Sequence, residues 1–305
     1  MTHITPGDLL EWCKIPFTDL EYHPKRKIPF RICRDSAEMG QIMARELADL
    51  IRINNVQGKS THAIIPCGPL CWYKLFADLV NAEKVNLNRL VVFHMDECLD
   101  WQGKLLPVNH PQNFRSYMER NFYGPIASAI NVPDSNRHFL LPSNLNEIRD
   151  RIASTVIDIT YGGWGQDGHV AFNQARRNVY SQLTIDDVRN STVRIQDNNP
   201  DTVIALAHRS LGSAYQLIAP MSVTLGVKEC LSAKKVRLFS DTGAWKQTAL
   251  RIALFGPLTP DFPITLLQEH PDALLTATVE TSKHPVSEHP EWDFVFHKSG
   301  ILFHE

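Results

Sequence analysis

The stretch from Tyr161 to Asn173, Tyr-Gly-Gly-Trp-Gly-Gln-Asp-Gly-His-Val-Ala-Phe-Asn, follows the apolar run Val156-Ile157-Asp158-Ile159-Thr160. A short β-branched run that breaks into glycines reads as a buried strand ending in a loop, and open α/β sheets bind their ligands at such strand ends. Glycines let the backbone come close to a ligand, and Asp167 and His169 then place a carboxylate and an imidazole within one short turn. An isolated Asp-Gly-His is more often a solvated loop; the whole string is far more specific and marks a candidate catalytic loop.

The rest of the chain has to supply a core around that strand. With 305 residues, 43% hydrophobic and 21% charged, it can bury one large α/β domain with additions. A net charge of -2, with no cluster of Lys and Arg interleaved with aromatics, argues against a nucleic-acid partner. The six cysteines, Cys13, Cys33, Cys67, Cys71, Cys98 and Cys230, lack zinc or redox spacing and read as reduced thiols. No signal sequence precedes Pro6 and no apolar run approaches the roughly 18 residues of a membrane helix. The expectation is a cytoplasmic protein without a membrane partner.

Strand and helix patterns alternate along the chain. Asp35 or Ser36 can cap a helix whose Met39, Ile42, Met43, Leu47, Leu50 and Ile51 share one face, with Gly58 beyond its end. Thr61–Ile65 reads as a strand that breaks at Pro66-Cys67-Gly68-Pro69 before a helical stretch from Cys71 to Ala82, an order that suits an anion at a helix N-terminus. Leu90–Met95 reads as a strand with Asp96 and Glu97 at its end, where adjacent carboxylates ordinarily serve solvation or capping.

Further strands are expected at Arg137–Leu141 and Val236–Ser240, a helix at Asn144–Ala153, and a strand-to-helix passage from Ala219 to about Ser232. A helix should open at Thr242 and run to about Phe255. Lys246 in its first turn opposes the helix dipole unless an anion compensates; the alternative is an ordinary solvated lysine. The proline-rich segment before Arg31 reads as an irregular arm packed on the body. His284, His289, His297 and His304 in the tail have no metal-site spacing.

The glycine-rich string resembles the Asn-Asp-Gly-His-Ile-Ala-Phe-Asn-Glu motif of the glucosamine-6-phosphate deaminase family, with Gln166 for the first Asn and Gln174 where that family carries Glu. Phe93-His94-Met95-Asp96-Glu97 is similar to the family's Phe-Asn-Met-Asp-Glu, and Gly243-Ala244-Trp245-Lys246 to its Gly-Ser-Gln-Lys. His110–Phe114, Met118–Phe122 and Pro263–Ala273 also resemble family segments, while Trp101–Asn109 makes a longer loop at the site rim. The resemblance covers approximately Arg31 to Glu280. It implies an α/β fold, a Rossmann-like, three-layer, mostly parallel sheet flanked by helices. The expected division is an arm over 1–30, a single sugar-phosphate isomerase-like domain over 31–281 and a tail over 282–305.

By the same resemblance His169 opens the sugar ring, Asp96 removes the C2 proton, Asp167 orients the imidazole and Gln174 stands in the charge network. Gly68, Pro69, Glu97, Gly163, Trp164, Gly165 and Lys246 are expected to contact substrate. The family's lid, with an Arg that grips phosphate, would span about Gln174 to Asp201, so Arg189 or Arg194 should face the ligand. No metal or organic cofactor is implied. The partner is a small sugar or sugar phosphate, with a homo-oligomer possible.

Two departures bear on function. The loop after the second strand lacks the family's phosphate-holding hydroxyls, so either its backbone amides carry the phosphate alone or the ligand end there is not a phosphate. Gln174 is neutral, which removes a charged hydrogen bond of about 1.5 to 3 kcal/mol and implies a divergent member with retuned ring opening. Three readings follow: an amino-sugar phosphate deaminase and isomerase, a lactone hydrolase like the 6-phosphogluconolactonases, and a non-enzymatic sugar-binding relative.

Overall fold

Seven strands, all parallel, form one sheet in a computed structural model that describes residues 4–175, 180, 182–297 and 300–302. The chain runs through α1 (Pro6–Cys13), α2 (Phe17–Leu20), β1 (Phe30–Cys33), α3 (Ser36–Val56), β2 (Thr61–Ile65), α4 (Tyr73–Ala82), β3 (Leu90–His94) and β4 (Asp96–Leu99). Next come α5 (Phe114–Met118), β5 (Arg137–His138), α6 (Leu145–Ala153), β6 (Ile159–Gly162), α7 (Ile185–Arg189), β7 (Arg194–Asp197), α8 (Pro200–Ser210) and β8 (Met221–Thr224). The last part holds α9 (Val227–Cys230), β9 (Lys235–Ser240), α10 (Gln247–Phe255), β10 (Ala273–Thr278), α11 (Val279–Ser282), α12 (Pro285–Glu288) and a hairpin of β11 (Val295–His297) and β12 (Gly300–Leu302).

Strand order is β1-β10-β9-β6-β2-β3-β5. From β2 the chain builds outward through β3 to β5, and from β6 outward the other way through β9 to β10, so the order reverses between β2 and β6. That reversal opens a crevice at the carboxyl ends of the strands. A second, three-stranded antiparallel sheet, β4-β8-β7, stands beside those ends.

Alternation along each strand separates two cores. Ile64, Phe93, Val236, Leu238 and Leu275 point to one face, under α6, α9, α10 and Leu20 of α2. Ala63, Ile65, Val92, Ile159, Tyr161 and Phe239 point to the other, under α3, α4 and the aromatic segment around Phe122. The sheet and its two helical covers are therefore three layers, as expected. Asp35 caps α3 by accepting the Glu38 N–H at 2.9 Å, and Met39, Met43, Leu47 and Ile51 of that helix are buried. Each such side chain contributes about 1.5–3 kcal/mol of apolar burial.

The structure departs from the sequence expectations in four places. The arm before β1 is not irregular: Thr5 and Asp8 form a reciprocal capping box, Pro6 occupies the first helical turn, and α1 and α2 result. β6 begins at Ile159 rather than Val156, which is exposed, so Tyr161 and Gly162 belong to the strand. β5 spans only two residues. Asp96 and Glu97 do not close β3. After Met95, whose N–H still reaches the Ile65 carbonyl at 3.1 Å, the chain starts β4 and pairs Asp96 with Thr224 of β8. The six cysteines are free thiols, and among the described residues no helix is long and apolar enough to cross a membrane. His304 lies outside the described residues.

Gly40 sets the distance between α3 and the loop before α4. A Cβ there would stand 2.5 Å from the Cys71 carbonyl oxygen and 2.8 Å from Leu75 Cδ1. Gly40→Ala is expected to lower unfolding free energy by about 1–3 kcal/mol, the usual cost of overpacking, measured by denaturant titration; unchanged stability would show that the loop can retreat without cost.

Candidate active site

The loops after β2, β3, β6 and β9 line a cleft of about 1070 Å³, and α8 forms its opposite wall. Among its lining residues are Gly68, Pro69, Asp96, Gly163, Trp164, Gly165, His169 and Lys246. Asp96, from the start of β4, and His169, from the glycine loop after β6, therefore face one hollow although they lie 73 positions apart in sequence.

The glycine loop holds the imidazole tightly. The Gly165 N–H donates to the His169 carbonyl at 2.9 Å and the Gly168 N–H to the Gly165 carbonyl at 3.1 Å. His169 Nδ1 lies 2.6 Å from Asp167 Oδ1, and Asp167 also accepts the His169 backbone N–H at 3.3 Å. The Asp167 side chain is 1% exposed and the His169 side chain 15%. Burial pushes the Asp167 carboxyl up, but the His169 charge and hydrogen bonds outweigh it and hold the group below the usual carboxylate range. Because a carboxylate only accepts, Nδ1 carries the proton and Nε2 is the nitrogen left for a ligand. Phe172 stacks along the ring at 6.2 Å between centroids.

Asp96 is tuned the other way. Burial, with the neighbouring Glu97 charge adding to it, raises its carboxyl to about 7. At neutral pH it exchanges protons readily, as a general base must. Lys246, on the turn before α10, is partly buried, and its carbonyl lies 3.4 Å from Trp164 Nε1. Burial, then the charge of Arg209, lowers its ammonium to about 8, while Asp241 and Asp167 act in the opposite direction.

The remaining sequence candidates lie elsewhere. Glu97 turns its side chain away from the cleft and accepts the backbone N–H groups of Cys98, Phe114 and Arg115 at 2.9, 2.7 and 2.7 Å, which ties β4 to the first turn of α5. It is buried and does not line the cleft, where a substrate contact was expected. Arg189 is drawn to the outer surface by Glu269, at 2.7 Å, and by Asp186. Arg194 donates to Asn173 Oδ1 at 2.8 Å and braces the end of the glycine loop. Neither lines the cleft. Part of the expected lid, residues 176–179 and 181, lies outside the described residues.

In overall comparison no family model matches the chain. A glucosamine-6-phosphate deaminase from Aliivibrio fischeri strain MJ11 is 30% identical over 217 residues, 69% of this chain and 75% of the relative. The chain belongs to the glucosamine-6-phosphate deaminase family.

Another deaminase of this family, from Aeromonas hydrophila, is 29% identical over 259 residues, covering 82% of this chain and 89% of the relative. The fold is shared with a solved monomeric glucosamine-6-phosphate deaminase, at 21% identity, a TM-score of 0.69, and coverage of 83% of this chain and 98% of that one. It is also shared with a 6-phosphogluconolactonase from Thermotoga maritima, at 18% identity, a TM-score of 0.52, and coverage of 82% and 98%.

Gln174, at the position of the family's Glu, does not line the cleft, and its amide bonds to Thr202 and Asn199. Its Nε2 donates to Thr202 Oγ1 at 2.7 Å and its Oε1 accepts the Asn199 N–H at 2.7 Å, so it fastens the glycine loop to the start of α8. Its expected place in the charge network gives way to this positioning contact. Sequence reasoning also missed the α8 wall. Its signals were present: Asn199 and Pro200 open the helix, and Arg209 sits in its last turn.

Glu97→Ala strands at least two inward-facing N–H groups and is expected to cost about 2–5 kcal/mol, read by chemical denaturation; a loss under about 0.5 kcal/mol would refute the structural assignment. Gly165→Ala would drive a methyl into the His169 ring. With the fold retained, kcat should fall about 100-fold, and undiminished turnover would show that the ring does not need its present seat.

Proposed function

We propose that the chain converts an amino-sugar phosphate of the glucosamine 6-phosphate type to the ketose phosphate and ammonia. The observation that carries this reading is the convergence of Asp96 and the Asp167-supported His169 on one cleft. His169 Nε2 takes the proton of the anomeric hydroxyl and delivers one to the ring oxygen, which opens the pyranose. Asp96, as a carboxylate, removes the proton from C2 of the open aldehyde to give an enol that keeps the C2 amine. Reprotonation at C1 places a C=N bond at C2, and water then replaces nitrogen, releasing ammonia and leaving the ketone. Every step is a proton transfer or a hydrolysis by water, and none calls for electrons from elsewhere.

A lactone hydrolase needs a base aimed at water rather than at a carbon acid, and the 30% identity to a deaminase, against 18% to a lactonase, favours the carbon acid. Purified protein incubated with glucosamine 6-phosphate should yield ammonia and fructose 6-phosphate in equal amounts, and 6-phosphogluconolactone should be turned over at background rate. Hydrolysis of the lactone without ammonia release would replace this reading by the lactonase one.

The titrating groups set the sign of the pH response. Asp96 acts deprotonated, so kcat/KM should fall as pH drops below about 7. Lys246 attracts an anion when charged, so KM should rise as pH climbs above about 8. A steady-state pH profile from 5.5 to 9.5 (roughly spanning both groups) checks both limbs. Asp96→Asn should remove activity at every pH, and an acid limb that survives in that variant would assign it to another group.

A further inference from the structure

In the deaminase reading the ligand's anionic end needs a seat, and the loop after β2 is poorly equipped to provide one. Its Cys67-Gly68-Pro69-Leu70-Cys71 segment has no hydroxyl side chain. Its amides are also depleted: the Gly68 N–H donates to the Tyr73 hydroxyl at 2.9 Å, and Pro66 and Pro69 have none. The Tyr73 hydroxyl donates in turn to the Pro66 carbonyl at 3.0 Å, which closes the start of the loop on itself and leaves only the Cys67, Leu70 and Cys71 amides to offer a ligand.

Positive charge collects instead on the other walls. Arg209, in the last turn of α8, and Lys246, before α10, both line the cleft, and Arg209 is exposed. Among the described residues neither is ion-paired with a carboxylate, although Asp241 also lines this end. Lys246 senses the Arg209 charge. Two like charges facing one hollow, offset only in part by Asp241 and Asp167, favour an anion between them.

Resting on the deaminase reading of the site, we infer that Arg209 is a specificity-determining residue that, with Lys246, grips the anionic group of the substrate, while the loop after β2 contributes shape and not charge. The guanidinium comes from α8, which Gln174 fastens to the catalytic loop, so the anion grip and the imidazole are mechanically joined. The substrate class is an amino sugar with an anionic substituent remote from the amine. A neutral amino sugar lacks the group that Arg209 and Lys246 hold.

Titration calorimetry on the full chain, with glucosamine 6-phosphate and with glucosamine, tests this. Wild type should bind the phosphorylated sugar more tightly, by a margin that shrinks as salt rises. Arg209→Ala should weaken binding of the phosphorylated sugar about 10- to 100-fold and leave glucosamine binding unchanged, with Arg209→Lys recovering part of the loss. In turnover the effect should appear in KM and not in kcat. Lys74→Ala, which removes an exposed charge paired to Asp78 outside the cleft, should bind as wild type does.

Equal affinity of wild type for the two sugars, unaltered binding by Arg209→Ala, or equal loss on both sugars would each overturn the inference. Phosphate-dependent binding without ammonia release would sink the deaminase reading and leave the Arg209 assignment standing. Ammonia release that is indifferent to Arg209→Ala would do the reverse.

Discussion

The hydrogen bond between Asp167 and His169 is the contact on which the rest of the site depends. It fixes the imidazole tautomer, because the buried carboxylate claims the Nδ1 proton and leaves Nε2 to the cleft. It requires a loop tight enough to bring two residues of one turn together, which the Gly165 and Gly168 backbone contacts provide. It also requires a rigid platform, and β6 supplies one at the centre of seven parallel strands. The two carboxylates are driven in opposite directions: Asp167 is held charged by its contacts with His169, which outweigh its burial, while Asp96, with no such partner among the described residues, is pushed up by burial. One pole of the cleft thus keeps a fixed charge beside the imidazole, and the other a carboxyl that titrates near neutrality, which is the division of labour the proposed reaction requires.

Parallel pairing accounts for the convergence of segments far apart in sequence. Each of β2, β3, β6 and β9 delivers its following loop to the same end of the sheet, so Gly68, Asp96, His169 and Lys246 meet without being neighbours in the chain. The small antiparallel sheet then decides how Asp96 and Glu97 divide their roles. Adjacent residues of a strand point to opposite sides, so once β4 pairs with β8, Asp96 faces the cleft and Glu97 the first turn of α5.

The core elements and the centre of the site were legible in the sequence because their signals are local. The face of α3, the run of β3 and the glycine break after β6 follow from spacing, and the motif around His169 follows from resemblance. What escaped depends on tertiary pairing or on direction. Nothing in Asp96-Glu97 announces a second sheet, since the partner strand β8 lies more than a hundred residues on. Gln174 stands at the position of a charged family residue, yet its direction is set by Thr202 and Asn199. Arg189 was a reasonable candidate for a ligand contact until Glu269, distant in sequence, proved to be its partner. Arg209 had a helix-end signature but no motif, and only the placement of α8 across the cleft gives it a role.

Loss of the C2 hydrogen of glucosamine 6-phosphate, followed by proton NMR in D2O, tests most directly whether the carboxylate of β4 and the imidazole of the glycine loop work on one substrate. Wild type should remove that hydrogen as ketose forms, and folded Asp96→Asn should leave it in place even on prolonged incubation. Removal of the C2 hydrogen by Asp96→Asn at the wild-type rate would contradict the assignment of Asp96 as the base and, with it, the shared cleft as the seat of the reaction.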